Sequence, residues 1–296
     1  MPLSAEDLVS NSIFPTAVIR CATELIEIYS ENPRMASVFA ARQRWLMAQA
    51  GIALYHGHPD GLQAALYSER FVDFVVEHRI ASRNTAAAFM REMLTYRFLR
   101  LVPDLANRRT RLVEPTSMAK DHIWRWLHLH LQVLDHLDGK DRSDRLSADP
   151  AAFEHIQPRI ALRILNSASI RNPGETFDIF NSANSGGVVM DYLISQIDSL
   201  DPAADKVLIG RISLREIHQQ FLISNTHLKR LVSHASKLGS LGWTEAPGRS
   251  SMWISRGFIA EYLHYQAEKL AIIDAAVEAV FTEREAIEAA AQMQAC

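Results

Sequence analysis

Apolar positions recur at spacings of three and four through most of the chain, as in helices that bury one face. Over 15–29 they fall at 18, 19, 22, 25, 26 and 28, and Glu31-Asn32-Pro33 ends that helix. A second helix is predicted at about 35–55, broken by His56-Gly57-His58-Pro59-Asp60-Gly61, with a short one at about 62–67. An amphipathic helix follows at 69–78, then a longer one at 82–99 with Ala86, Phe89, Met90, Met93 and Tyr96 on one face. Residues 99–102 and 109–113 read as a hairpin, and Thr116 or Ser117 caps a helix reaching about Leu137. Residues 138–150, DGKDRSDRLSADP, hold seven charges, one glycine and one proline, the composition of a linker. Beyond it, helices are predicted at 151–169, over most of 176–197, within 212–221, from 224, and from 257 to about the C-terminus.

The stretch 224–255, SNTHLKRLVSHASKLGSLGWTEAPGRSSMWIS, organises the rest. Ser224, Asn225 and Thr226 offer oxygens for a helix start, and Leu228, Leu231, Val232, Ala235 and Leu238 draw one apolar stripe. The other face carries His227, Lys229, Arg230, Ser233, His234 and Lys237. Gly239 and Gly242 close the helix, Trp243-Thr244-Glu245 begins a strand, Ala246-Pro247-Gly248-Arg249 turns it, and Met252-Trp253-Ile254 returns. Here the run LKRLVSHASKLGSLGW resembles the recognition helix and first wing strand of MarR-type winged-helix transcriptional regulators. The preceding ISLREIHQQF resembles their shorter support helix, so that about a quarter of the chain carries the likeness directly. The resemblance implies a mainly α fold with small β-hairpin wings, duplex DNA as partner, and an effector held between the dimerisation helices and the reading head. Proteins of this kind work as homodimers whose terminal helices pack together.

The order of elements before residue 138 begins again after 150, with a shift of about 141. Asn84-Thr85 matches Asn225-Thr226, Arg108 matches Arg249, Phe39 matches Phe180, and Asn32-Pro33 matches Asn172-Pro173 one residue off. We read a tandem duplication: a first winged helix-turn-helix domain at 12–137, a linker at 138–150, and a second such domain at 151–296 with a long C-terminal helix. One chain would then supply both heads of a pseudo-dimer, whether as a monomer or paired again as a homodimer.

Charge sharpens this picture. The 296 residues sum to −3, yet the windows 80–115 and 221–256 each carry net +4, leaving −11 for everything else. Positive charge gathered on the two candidate heads is what phosphate neutralisation requires. Arg83, Asn84, Ala87, Ala88 and Arg91 of the first head, and Asn225, His227, Lys229, Arg230, Ser233 and His234 of the second, are the candidates for the major groove. Wing residues Arg108, Arg109 and Arg111, with Arg249, Ser250 and Ser251, are candidates for backbone or minor-groove contact. Because the heads differ, the half-sites should differ.

Other chemistry is sparse. Asn184-Ser185-Gly186-Gly187 lacks the strand before it and the Lys-Ser/Thr after it that a P-loop needs, so Gly186 and Gly187 mark either a close helix crossing or a small effector pocket. His122, His128, His130 and His136 are spaced six, two and six, not the three or four of helical metal ligands. No GxSxG elbow or marked carboxylate pair points to an enzyme, and nothing implies a cofactor. Cys21 and Cys296 form no ligand pair, and neither a basic leader nor a long apolar run occurs, so a cytoplasmic protein is expected. A rival expectation is a duplicated winged-helix scaffold that binds proteins and not DNA, favoured by the donor-poor Ala86-Ala87-Ala88.

Overall fold

The structure, a computed structural model, describes residues 1–31, 33, 39–57, 64–102, 112–183, 185–201 and 203–295. The first half runs α1 (Ala5–Ser10), α2 (Phe14–Glu31), α3 (Arg42–His56), α4 (Ser68–Glu77) and α5 (Arg83–Thr95), then strands β1 (Leu99–Leu101) and β2 (Val113–Pro115). Next come α6 (Ser117–Asp138), α7 (Arg142–Ala148), α8 (Phe153–Asn166), α9 (Ala168–Arg171), α10 (Glu175–Asn181) and α11 (Gly186–Ser195). The chain closes with β3 (Lys206–Leu208), α12 (Leu214–Gln220), α13 (Asn225–Lys237), β4 (Leu241–Trp243), β5 (Met252–Ser255) and α14 (Arg256–Ala295), a helix of 40 residues. The chain is thus mainly helical with two small antiparallel sheets, β1-β2 and β3-β5-β4. Among the described residues no helix is long and apolar enough to cross a membrane.

Local signals set the helix starts. Ser82, Thr116 and Ser224 each accept a hydrogen bond from the backbone N–H three residues on, satisfying a donor that the first turn would otherwise leave orphaned. Gly139 ends α6 in the left-handed region, at φ 72°. Strand β3 is an addition to the sequence expectation. Its Lys-Val-Leu is too short to show alternation, and its pairing with β5 places Leu208 opposite Trp253.

Packing divides the chain differently from the expected boundaries at 12–137 and 151–296. One unit comprises Met1–Leu8, Leu46–Ser167 and Glu268–Cys296, and the other Val9–Trp45 and Ala168–Ala267. In the second, α2 lies against α11, although 154 residues separate Glu31 from Gly186. Periodicity marks a buried face but does not say which partner covers it. The core of the first unit is built of Leu54, Leu127, Leu131, Leu134, Ile156, Ile160 and Ile273. That of the second unites Phe177, Phe180, Val189, Ile217, Leu228, Met252, Phe258 and Tyr262, with the Phe180 and Phe258 rings stacked at 5.5 Å.

The expected linker at 138–150 is instead folded structure within the first unit. Arg142, 1% exposed, is the reason. Its Nε donates to Asp274 at 2.6 Å, and its Nη1 and Nη2 donate to the two Asp138 oxygens at 2.8 Å each. Asp135 accepts from the backbone N–H groups of Arg142 and Ser143, both at 2.9 Å, and so starts α7 from the preceding helix. Asp274 also accepts from Leu3 N–H at 2.7 Å, which fastens the N-terminal residues. Arg142, which looks solvated in the sequence, is thereby paired and buried. Burial works against the ionised Asp138 carboxyl, but the hydrogen bonds from Arg142 and the Lys140 N–H outweigh it and hold its pKa below the ordinary value. A carboxyl held down in this way stabilises the fold above its unfolded pKa and ceases to do so as pH falls through the folded one.

Arg142→Ala strands three carboxylates and should lower unfolding stability by about 3–5 kcal/mol. Arg20→Ala, which removes only the exposed pair with Glu24, should cost about 0.5 kcal/mol or less. Urea unfolding followed by circular dichroism separates the two.

Candidate nucleic-acid interface

Helix α13 is divided lengthwise. Leu228, Leu231, Val232 and Ala235 are buried, while Asn225, Lys229, Arg230, Ser233, His234 and Lys237 are exposed. It contains no acidic residue. Four residues separate it from α12, which Ser213 caps by accepting from Glu216 N–H at 3.3 Å. Within that turn Phe221 and Ile223 are buried, Leu222 takes a left-handed φ of 52°, and the His218 ring donates from Nδ1 to the Ile223 carbonyl. These contacts fix the angle at which α13 leaves α12.

The hairpin beyond α13 is tightly built. Leu241 pairs with Ile254, Gly242 with Trp253, and Trp243 with Met252. A Cβ on Gly242 would stand 2.5 Å from the Trp253 ring, so the indole lies flush on bare backbone. The Lys206 ammonium of β3 sits 4.1 Å over the same ring. At the tip, Thr244 N–H donates to the Ser251 carbonyl at 2.9 Å, and Arg249 N–H to the Ala246 carbonyl at 3.1 Å, with Gly248 at φ 73°. The Ser250 hydroxyl is engaged inside the loop, accepting from Glu245 N–H and donating to the Ala246 carbonyl, both at 3.0 Å. Arg249 is exposed, and Ser251 is half-buried.

The first unit holds a counterpart with weaker charge. Helix α5 buries Ala86, Phe89, Met90 and Met93 and exposes Arg83, Asn84, Ala88 and Arg91, with Ala87 half-buried. Arg83 is ion-paired to Asp73 of α4, and Arg100 of β1 to Glu114 of β2, so two of its arginines are already answered. Arg108, Arg109 and Arg111 lie outside the described residues.

At two of the expected sites the structure adds detail. Gly186 and Gly187 open α11 pressed against backbone, the close helix crossing that was one of the two expectations for this pair. A Cβ on Gly186 would fall 1.8 Å from the Phe180 carbonyl oxygen, and one on Gly187 would fall 2.8 Å from that of Ala40, which accepts the Gly187 N–H at 2.9 Å. His227, expected on the groove face, is half-buried at the edge of α13. Its Nδ1 accepts from Arg230 Nη2 at 2.9 Å, and burial, then the neighbouring Arg230 charge, pushes its pKa down.

The sequence offered no signal for the cleft that His227 borders. Glu175, Asp178 and Ile179 of α10 face His227, Arg230 and His234 of α13 across a space of about 490 Å³. Asp178 is ion-paired to Arg42, and Thr176 and Ser240 share a buried hydroxyl–hydroxyl bond of 2.7 Å that sets α10 against the residue before β4. The cleft therefore has one acidic and one basic wall. Among the described residues no three His, Cys, Asp or Glu side chains gather as a metal site, and His130 donates from Nδ1 to the Trp126 carbonyl of its own helix at 2.7 Å.

Gly242→Ala should force the Trp253 ring off the hairpin and cost about 1–3 kcal/mol. Thermal unfolding together with a changed tryptophan emission would register it; an unchanged melting temperature and spectrum would contradict the packing described. No protein-family model, no curated protein and no solved structure matches the chain, so the role of these heads has to be read from their own residues.

Proposed function

We propose that the chain is a sequence-specific duplex-DNA-binding transcriptional regulator made of two tandem winged helix-turn-helix domains, with two non-identical reading heads in one chain. The observation that carries this reading is the solvent face of α13, where Lys229, Arg230, His234 and Lys237 stand without an acidic neighbour on the helix beside a hairpin tipped by Arg249. Lys and Arg neutralise phosphates, Arg takes guanine with a bidentate fork, and Asn225 can pair with an adenine edge. A 13-residue helix fits the major groove by its width, and the hairpin supplies a second element for the backbone.

Strand register favours the duplication. The isolated antiparallel bridge in the first unit joins Tyr67 to Leu112, and the β3-β5 ladder pairs Leu208 with Trp253, each partner 141 residues later. The helices α5 and α13 are both 13 residues long and start from serine caps 142 residues apart. On this reading the chain is a pseudo-dimer, as a monomer or paired again, and the cleft beside α13 is the better place for a small effector than Gly186 and Gly187. The rival reading, a scaffold that binds proteins, draws support from the Arg83–Asp73 and Arg100–Glu114 pairs, which lessen the free charge of the first head.

The experiment is a fluorescence-anisotropy titration of the purified chain against a random duplex of about 30 base pairs at about 50 and 200 mM salt, followed by selection of a preferred sequence. Affinity should fall by at least tenfold between the two salts, as the release of several phosphate counterions demands. Arg249→Ala should weaken random and selected duplexes alike and lower the salt slope by about 1, whereas Arg230→Ala or Arg91→Ala should cost about 1–3 kcal/mol on the selected duplex alone. No binding at either salt would favour the scaffold.

A further inference from the structure

Helix α13 carries one side-chain pair within its own exposed edge. Arg230, which could swing freely about its long stem, is held through Nη2 by His227 Nδ1 at 2.9 Å, one turn toward the helix N-terminus. Arginine has donors and no acceptor, so Nδ1 must be the bare nitrogen, and the ring is neutral with its proton on Nε2. That Nε2 is closed to solvent and has no hydrogen-bond partner among the described residues. The exchangeable polar capacity of His227 is therefore directed at Arg230. The contact also has a direction. Side chains on a helix lean toward its N-terminus, and the N-terminal residues of a recognition helix are those that reach base edges.

We infer that His227 is a positioning residue: its neutral imidazole holds the Arg230 guanidinium over the N-terminal turn of α13 in the orientation that reads a base, and protonating the ring releases it. This rests on the DNA-binding reading above. A fixed fork loses less conformational freedom on meeting a guanine than a sweeping one, so the restraint appears as discrimination between sequences more than as general affinity. Protonation at Nδ1 removes the acceptor and sets two cations side by side. Around the ring stand Arg230 and His234 on α13 and Glu175 and Asp178 across the cleft on α10. Of the other neighbouring elements, α12 turns His218 to the Ile223 carbonyl and leaves Arg215 and Glu216 exposed, and β4 bears no charge. Burial and the Arg230 charge keep the pKa of His227 below the ordinary histidine value, so the ring is neutral at pH 8 and gains its proton only on the acid side.

The test uses the full chain and a duplex that the wild type selects from a random pool of about 30 base pairs. The measured quantity is the ratio of dissociation constants for random and selected duplexes at pH 8 and pH 5, in the wild type, His227→Phe and His227→Gln. Phenylalanine keeps the ring shape without an acceptor, and the glutamine carbonyl accepts without titrating. At pH 8 the Phe variant should lose about three- to tenfold of the ratio, a part of what a full bidentate contact provides, while the Gln variant keeps it. At pH 5 the wild type should fall toward the Phe value and the Gln variant should not. Taking a ratio cancels the general gain in phosphate affinity as other histidines charge. Full discrimination by the Phe variant, or the same pH loss in the Gln variant, would overturn the inference. The Arg230 Nε–Hε resonance of the free protein separates the failures. Its shift at pH 8 should differ between the wild type and the Phe variant, because only the wild-type guanidinium is bonded to an imidazole. Equal shifts in the two mean that the pair does not form and this inference fails alone. Different shifts in a chain that selects no sequence mean that the DNA-binding reading has failed and takes the inference with it.

Discussion

Everything displayed by the second unit's head follows from the burial of one apolar stripe. Leu228, Leu231, Val232 and Ala235 leave α13 a single rotation about its axis, because turning it by one residue would bring leucines worth about 1.5–3 kcal/mol each into water. Ser224 sets where the helix begins and the α12 turn sets its angle, so the polar side chains inherit their positions from the core. The same constraint governs α5 through Ala86, Phe89, Met90 and Met93. What differs is the cargo. The face of α13 carries cations with no acidic residue on the helix itself, whereas that of α5 carries alanines, Arg91 and an arginine already held by Asp73.

That asymmetry bears on how such a chain would use two heads. On the proposed reading, a face rich in exposed lysine and arginine would both bind phosphates and read bases, while one whose arginines are ion-paired would do so less. The acidic wall of α10 adds a local constraint. Glu175 and Asp178 stand across the cleft from His227, Arg230 and His234, so a ligand or proton entering there acts on side chains proposed to meet DNA.

The local part of this architecture was legible in the sequence. Caps, turns and helical periodicity are short-range physics, so Thr116 and Ser224 announced their helices and Ala246 to Arg249 announced the turn. Long-range pairing was not legible. Nothing local tells α2 that α11 will cover it, or Lys-Val-Leu at 206–208 that β5 will pair with it. Charge misled at 138–150 because an arginine facing three aspartates has the composition of a linker and the energetics of a core. The glycine pair was ambiguous because a missing Cβ signals close approach without saying whether backbone or ligand makes it. His227 lies at the border of the exposed arc, where only tertiary packing decides how much of it is covered.

The most direct measurement is amide hydrogen exchange of the whole chain with and without a duplex of about 30 base pairs at about 50 mM salt, where electrostatic binding is strong. The account predicts added protection over α13 and the hairpin loop at 244–251, with less at α5. Unchanged exchange at α13 and 244–251 under conditions where the duplex binds, or protection confined to the exposed end of α14 near Ile287 and Met293, would contradict it.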